Sequence, residues 1–299
     1  MSKSPSASAE FSVREFFARF PNERACLEHI MSVRFGGTTM DCPSCGVETE
    51  FHKLRDRRVY ACPHCLCQIA PTANTVLHDT RTPLVSWFYA MYLFCTTRRG
   101  VSGKELQRQL GVTYKTAYRI GMQIRKLAEK ADNFDALLSG HVEIDEAYVG
   151  GRSSGGKRGR GAPNKTVVVG LVERKGRMVA RVVPNAKTET LRPIVHENVA
   201  PGATVSTDEL LSYGLLSKDG CRHGRVNHKR GEYARYVCKS VTFHTNTVEG
   251  FWRLFKASVR STHVSISPKH MQRYLNEFAF RVNNRKRVNA MFDLLVGAL

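Results

Sequence analysis

Two pairs of cysteines constrain this chain more than any other feature of its sequence. Cys42 and Cys45 form one Cys-x-x-Cys pair, Cys62 and Cys65 form a second, and sixteen residues separate them. Each pair places two thiolates on one tight turn, and four thiolates match the tetrahedral ligand set of a structural zinc ion. The intervening segment has the length and composition of a short β-hairpin. The pattern predicts a zinc ribbon that binds one Zn²⁺.

Other residues near these pairs carry donor atoms that suit zinc. His52, His64 and Cys67 are alternatives, but two complete Cys-x-x-Cys pairs leave no ligand missing. No apolar signal segment begins the sequence, so we expect reduced thiols and a cytoplasmic protein, not a disulfide framework.

The charge balance predicts a polyanion as partner. Lysine and arginine number 46 against 26 acidic residues, which gives a net charge of +20 at pH 7. With 42% hydrophobic residues the chain can form folded cores, so the positive charge belongs to a folded binder of nucleic acid. The longest apolar run, from Trp87 to Cys95, is far shorter than the roughly 20 residues that span a bilayer. We expect DNA binding and no membrane association.

A helix-turn-helix pattern follows the cysteine pairs. Ser102 and Glu105 form a capping-box signature, Gly111 marks a turn, and Thr113 is placed to cap a second helix. The outward face of that second helix is rich in hydrogen-bond donors and aromatic rings, as contact with a DNA groove or with phosphates requires. The candidate DNA-binding residues there are Tyr114, Lys115, Thr116 and Arg119. A helical hairpin with a solvated basic face is the alternative.

After Gly140 the hydrophobic period changes from that of a helix to that of a strand. Strands are predicted at 141–149, 166–172, 178–183 and 204–207, with a helix at 188–199 and further helices after Asn246. This order indicates an α/β fold with a mixed central sheet.

Three carboxylates in this half predict a site for phosphoryl transfer. Asp145 lies on the first strand, Asp208 follows a later strand, and Glu249 lies in the first turn of a helix. Together they can hold two hard cations about 3.5–4 Å apart, which stabilise the attacking and leaving oxygens at a phosphodiester. The alternative for either aspartate is an edge or turn residue. The alternative for Glu249 is a capping box with Asn246 as N-cap.

The helix that carries Glu249 also has a basic face. Val248, Phe251, Trp252, Phe255 and Val259 form its predicted buried stripe. Arg253, Lys256 and Arg260 lie near Glu249 on a different face and are predicted to contact the DNA backbone. A surface ion pair between Glu249 and Arg253 is the alternative.

Several stretches together resemble the bacterial insertion-sequence transposases of the ISXO-like family. The similarity extends from about Phe16 to Arg285. The matching stretches are Cys42–Gly46, Arg57–Cys65, Gly111–Tyr118, Val142–Glu146 with Gly150 and Gly151, His244–Trp252 and Lys269–Arg281.

The resemblance implies a fold and a site. The fold is α/β, with an RNase H-like mixed five-stranded sheet and helices, preceded by a zinc ribbon and a helix-turn-helix. The implied regions are 11–80 with the N-terminal helices and the ribbon, 81–138 with the helix-turn-helix, and 139–299 with the catalytic domain. Asp145, Asp208 and Glu249 would be the catalytic triad, binding two Mg²⁺ ions that Mn²⁺ can replace. Family members also have histidines where His228 and His244 stand, with no role assigned.

The resemblance also implies an activity. The chain would be a DNA transposase that binds the terminal inverted repeats of its element, cleaves the ends and joins their 3′ hydroxyls to target DNA. It would act as a homodimer or larger assembly in the bacterial cytoplasm, on the nucleoid when bound to DNA. Two other classes stay open. A zinc-ribbon and helix-turn-helix transcription regulator would not cleave DNA, and an RNase H-like structure-selective nuclease would cleave without joining.

Overall fold

The computed structural model describes residues 11–132, 136–150, 165–214, 216–217, 220–238 and 241–299. In these ranges the chain forms nine α-helices. They are α1 (Val13–Arg19), α2 (Glu23–Phe35), α3 (Leu84–Thr96), α4 (Gly103–Leu110), α5 (Tyr114–Ala131), α6 (Thr188–Asn198), α7 (Asn246–Ser261), α8 (Pro268–Asn284) and α9 (Val288–Gly297). None of these helices is long and apolar enough to cross a membrane.

The same ranges contain twelve short or medium strands in four sheets. They are β1 (Thr39–Asp41), β2 (Glu48–Glu50), β3 (His52–Lys53), β4 (Tyr60–Ala61), β5 (Gln68–Ile69), β6 (His141–Val149), β7 (Thr166–Glu173), β8 (Met178–Val183), β9 (Thr204–Thr207), β10 (Arg222–Arg225), β11 (Arg235–Cys238) and β12 (Val241–Phe243). The chain divides into two compact units. One combines the sequence up to Ala131 with Asn284–Leu299, and the other is Asp132–Asn283.

The core of the first unit is built largely from aromatic rings. Phe292 of α9 is fully buried, and its ring lies 5.3–6.4 Å from those of Phe11, Phe16, Phe20 and Phe88. The last helix of the chain therefore completes a core that begins at its first helix.

The predicted helix-turn-helix is confirmed. The Ser102 hydroxyl accepts a hydrogen bond from the Glu105 N–H and caps α4, which ends at Gly111 in a left-handed conformation with φ of 64°. Thr113 accepts from the Thr116 N–H at the start of α5. The inward residues of α5 are buried as predicted; these are Ala117, Ile120, Ile124 and Leu127.

The second unit contains the predicted RNase H-like sheet. Its five strands lie in the order β10-β9-β6-β7-β8. The three consecutive strands β6, β7 and β8 pair antiparallel, whereas β9 and β10 run parallel to β6 on its other side. The outer backbone edge of β8 is covered by two amide side chains. Gln272 bonds to Val182 N–H and Ala180 C=O, and Asn283 bonds to both backbone groups of Met178, so these groups of the edge strand are not left open for pairing.

Alternation along β6 divides its side chains between the two faces of the sheet. Val142 and Ile144 enter the hydrophobic core with residues of α6, including Leu191. Asp145 pairs across the ladder with Gly170 of β7, where an added Cβ would lie 2.8 Å from the Trp252 ring. Glycine thus lets α7 pack closely against the strand that pairs with Asp145. The buried stripe of α7 is confirmed in full.

Two features of the second unit were not predicted from periodicity. Strand β10 is the fifth strand of the sheet, and β11 and β12 form a separate antiparallel hairpin with a register shift between Tyr236 and Cys238. Both lie between Asp208 and Glu249 in the sequence.

Candidate active site

The four cysteines of the ribbon converge as predicted. The four Sγ atoms all lie within 4.8 Å of one another. The Sγ–Sγ distance is 3.5 Å between Cys42 and Cys65 and 3.9 Å between Cys45 and Cys62. A tetrahedral ion with Zn–S bonds of about 2.3 Å separates its sulfurs by about 3.8 Å. The donor set and its spacing fit a structural zinc ion.

The local backbone favours a thiolate at Cys42. In the first turn the Gly46 N–H donates a hydrogen bond to the Cys42 carbonyl. In the second turn the Leu66 N–H donates to the Cys62 carbonyl in the same way. Backbone hydrogen bonds from Cys45 and Ser44 lower the pKa of the Cys42 thiol to about 6, because an N–H that points at sulfur stabilises the anion.

A second group of convergent ligand atoms lies in the sheet unit. Carboxylate oxygens of Asp145, Glu146 and Asp208 all lie within 4.8 Å of one another. Asp145 is on β6, and Asp208 directly follows β9, the parallel neighbour of β6. The sheet therefore brings together the two aspartates that the sequence singles out, and their spacing suits a hard divalent cation.

Electrostatic repulsion is strong within this cluster. The pKa of Asp145 is raised to about 8, first by burial and then by the negative charges of Glu146, Asp208 and Glu249. A divalent cation bound at this cluster would relieve the repulsion on Asp145.

Glu146 is the member of the cluster that the strand pattern did not single out. It is buried, and its Oε2 accepts a hydrogen bond of 3.1 Å from the hydroxyl of Tyr213, which is also buried. Burial and the nearby acids raise the pKa of Tyr213 well above its ordinary value, so the phenol stays a donor. In the sequence, Glu146 is marked only by its place among the acids of β6. Asp145 shares that feature, so the sequence alone could not assign separate roles to the two residues.

Glu249 stays outside the group of three acids. Its Oε1 accepts a 2.7 Å hydrogen bond from Thr245 Oγ1 and lies 3.3 Å from His228 Nε2. Its charge nevertheless contributes to the raised pKa of Asp145. The alternative of a capping box is wrong, because α7 begins at Asn246 with Thr245 as N-cap, and the Thr245 side chain accepts no hydrogen bond from a backbone N–H of the first turn.

A buried carboxylate from β6 caps α7 instead. Glu143 is fully buried, and its Oε2 accepts from the backbone N–H groups of Thr247 (2.7 Å) and Val248 (3.2 Å). Its Oε1 accepts from Arg174 Nε at 2.7 Å and lies 3.0 Å from His244 Nδ1. An anion on two free N–H groups stabilises a helix N-terminus. Glu143 thus ties the helix of Glu249 to the strand of Asp145.

Arg174 extends this connection to the chain before α7. Its guanidinium also donates to the carbonyls of Thr242 (2.6 Å) and His244 (3.2 Å). Arg174 therefore holds the backbone of the segment before α7, and Glu143 holds the N-terminus of α7 itself.

Positive side chains follow Glu249 along α7. Arg253 and Arg260 are exposed on α7, and Lys256 is half-buried with a pKa lowered by burial. Lys165, Lys256 and Arg260 line a cavity of about 560 Å³ together with Tyr148. Its lining also includes Val149, so this cavity lies at the end of the strand that carries Asp145.

The predicted DNA-binding residues of α5 lie on its outward face. Tyr114, Lys115 and Arg119 are exposed, and Thr116 is half-buried. The Arg119 guanidinium lies over the Trp87 ring at 5.4 Å, and the Lys104 ammonium lies over the Tyr114 ring at 4.9 Å. Lys104 and the exposed Tyr114 ring thus share a surface at the start of α5, whereas the ring under Arg119 is buried.

A zinc ribbon followed by an RNase H-like sheet with clustered acids defines the class of DDE transposases. Residues 137–283 match the model of the ISXO2-like transposase domain, and residues 21–68 match that of the transposase zinc-ribbon domain. The chain belongs to the ISXO2-like transposase family.

A curated relative supports this assignment. An uncharacterised transposase-like protein of Haemophilus influenzae is 31% identical over 123 residues, which are 40% of this chain and 93% of that protein. No solved structure matches the chain.

Proposed function

We propose that the chain binds the terminal inverted repeats of its insertion sequence, cleaves the DNA ends and joins their 3′ hydroxyls to target DNA. The observation that carries this proposal is the convergence of Asp145, within β6, and Asp208, at the end of the neighbouring strand β9, with a raised pKa on Asp145. Carboxylates so close together repel one another, whereas they suit a site that binds divalent cations.

Asp145, Asp208 and Glu249 are proposed to hold two Mg²⁺ ions, which Mn²⁺ can replace. Such ions stabilise the attacking and leaving oxygens of an in-line displacement at phosphorus. Water would be the nucleophile for cleavage and the freed 3′ hydroxyl for joining. Glu146 lies close enough to act as a fourth ligand, and Tyr213 holds its carboxylate in place.

The protein's own residues would orient the DNA. Arg253, Lys256 and Arg260 would contact phosphates beside the cleaved bond, since all three lie on α7 with Glu249 and the charge of Asp145 acts on Lys256. Tyr114, Lys115, Thr116 and Arg119 would read the terminal repeat from α5, and the ribbon would hold one structural Zn²⁺ at its four cysteines. A homodimer or larger assembly would bring two ends together.

Cleavage of a terminal-repeat duplex tests this proposal. The substrate is taken from the inverted repeats that flank the gene, with Mg²⁺ or Mn²⁺ added. Asp145→Asn, Asp208→Asn and Glu249→Gln should each reduce cleavage by about a hundredfold or more while DNA binding persists. Glu173→Gln, on the neighbouring strand β7, is the matched control and should cleave normally.

The products separate the competing classes of protein. Joining of a cut 3′ end to a second duplex supports a transposase, and cleavage without joining indicates a nuclease. Binding of the repeats without metal-dependent cleavage indicates a transcription regulator. Normal cleavage by Glu249→Gln would remove Glu249 from the site and leave Glu146 as the third acid.

A further inference from the structure

The segment between β10 and α7 presents large apolar side chains to solvent. Tyr233, Tyr236 and Val237 are 65%, 80% and 62% exposed. The latter two belong to β11, which pairs only with β12 among the strands that the structure describes. A two-stranded hairpin alone in water is marginally stable, so a hairpin with exposed rings is typical of a surface that binds a partner.

The base of this hairpin is firmly anchored. Phe243 is buried against β10 at Gly224, where an added Cβ would lie 2.3 Å from the ring. The loop before the hairpin is closed by Glu232, whose carboxylate accepts from the Asn227 N–H at 3.0 Å. The exposed tyrosines thus lie on backbone segments that packing and hydrogen bonds hold in place.

The hairpin adjoins the candidate active site through His228. The backbone N–H of His228 donates to Glu209, the residue after Asp208, at 3.2 Å. Its Nε2 lies 3.3 Å from Glu249 Oε1, and its ring lies 5.7 Å from the Tyr233 ring. One imidazole ring therefore separates Tyr233 from a proposed metal ligand.

The charge along this segment suits DNA. Four arginines are exposed, at positions 222, 225, 230 and 235. Of the acids nearby, Glu232 is bonded to Arg235 at 2.8 Å, and Glu209 and Glu249 lie against His228. Exposed rings among cations are the elements of a surface for single-stranded nucleic acid. Bases stack on the rings, and the cations contact the backbone.

We propose that Tyr233 and Tyr236 stack on unpaired bases of the DNA strand beside the cleaved phosphodiester. This inference rests on the proposed function, since it needs DNA at the acid cluster. The hairpin would hold the strand after the duplex end has opened, with Tyr233 nearest the site and Tyr236 farther along the strand.

Binding of two DNA probes tests the stacking. The zinc-loaded full-length chain is titrated with labelled dT20 and with a 20-base-pair duplex at one salt concentration. Tyr233→Ala and Tyr236→Ala should each weaken dT20 binding about tenfold and change duplex binding less than about twofold. Tyr233→Phe, which keeps the ring, and Val237→Ala, which removes an exposed aliphatic side chain from the same strand, should bind dT20 normally.

Photocrosslinking locates the contact independently of affinity. With 5-iodouracil in dT20, the crosslinked peptide should contain Tyr233 or Tyr236. Unchanged dT20 binding by both alanine variants, or crosslinks confined to other peptides, would overturn the inference while duplex cleavage leaves the proposed function intact. Failure to bind either DNA would instead overturn the proposed function and the inference with it.

Discussion

Glu143 is the residue whose position most affects the geometry of the candidate site without reaching the clustered acids. It is two residues from Asp145 on β6, so both side chains lie on the face that α7 covers. Its carboxylate binds the free N–H groups of Thr247 and Val248, the two residues directly before Glu249 in α7. The distance between two proposed metal ligands is thus set by a third carboxylate, a positioning residue.

We expect Glu143→Gln to disturb both stability and metal use. A glutamine has one acceptor oxygen where the carboxylate serves both α7 and Arg174, and it leaves the Arg174 charge without its anion. The free energy of unfolding should fall by about 3 kcal/mol, as for other broken buried pairs. The Mg²⁺ concentration for half-maximal cleavage should rise, measured well below the melting temperature.

Glu173→Gln serves as the control, because that carboxylate accepts a hydrogen bond from Ser139 Oγ and caps no helix. If Glu143→Gln lowered the melting temperature but left the metal requirement unchanged, Glu143 would stabilise the fold without positioning Glu249.

The sequence could identify some of these residues and not others. Asp145 and Asp208 stand out because each lies on or directly after a predicted strand. Glu143 and Glu146 share the same strand, but the groups that they bind are far away in sequence, at Thr247 and Tyr213. Only the folded chain shows which acids converge on one another and which acid caps a helix.

The two turns of the zinc ribbon share a left-handed backbone conformation but differ in the residue that adopts it. In the first, Gly46 adopts a left-handed φ of 72°, and in the second Leu66 adopts the same conformation with a φ of 63°. A residue with a Cβ is disfavoured there by roughly 1 kcal/mol. Leu66 is also 72% exposed, so it gains little from packing.

Leu66→Gly should therefore stabilise the ribbon. We expect a gain of about 0.5–1 kcal/mol, since glycine removes the backbone strain and little buried area is lost. The measurement is the rate or midpoint of zinc release to a chelator. Leu66→Ala keeps the Cβ and should show no gain; equal stabilisation by both variants would mean that loss of the exposed leucine side chain, not the backbone, is responsible.

Elements were predictable where the hydrophobic period extends over enough residues. Strands β6, β7 and β8 each have six or more residues with strand-like sequence, and they were found. Strands β10, β11 and β12 have only three or four residues, and β10 is partly or fully exposed throughout. Their pairing depends on neighbours such as β9 and Phe243 and not on a local pattern.

Local sequence patterns say least about which distant segments of the chain pack together. The division into 11–80, 81–138 and 139–299 stays a prediction, while contacts in the structure group Asn284–Leu299 with the residues up to Ala131. The helical period of α9 was visible in the sequence. Nothing in that period specified a partner some 270 residues earlier, because a buried apolar stripe can pack on any apolar surface.

The place of α9 gives a prediction for the first unit as a whole. Phe292 is fully buried among four other phenylalanines, so Phe292→Ala should lower the stability of that unit by about 3–5 kcal/mol. The chain has two tryptophans, with Trp87 in the first unit and Trp252 in the second, so each unit has its own fluorescent probe.

Trp252→Phe isolates the signal of Trp87, and Trp87→Phe isolates that of Trp252. In denaturant titrations, Phe292→Ala should shift the Trp87 transition strongly and the Trp252 transition much less, because no atom of the second core is removed. Phe17→Ala, at a phenylalanine that is 48% exposed in the same unit, should shift either transition little. An equal shift of both transitions by Phe292→Ala would contradict separate cores, and an unchanged Trp87 transition would contradict the structural role of α9.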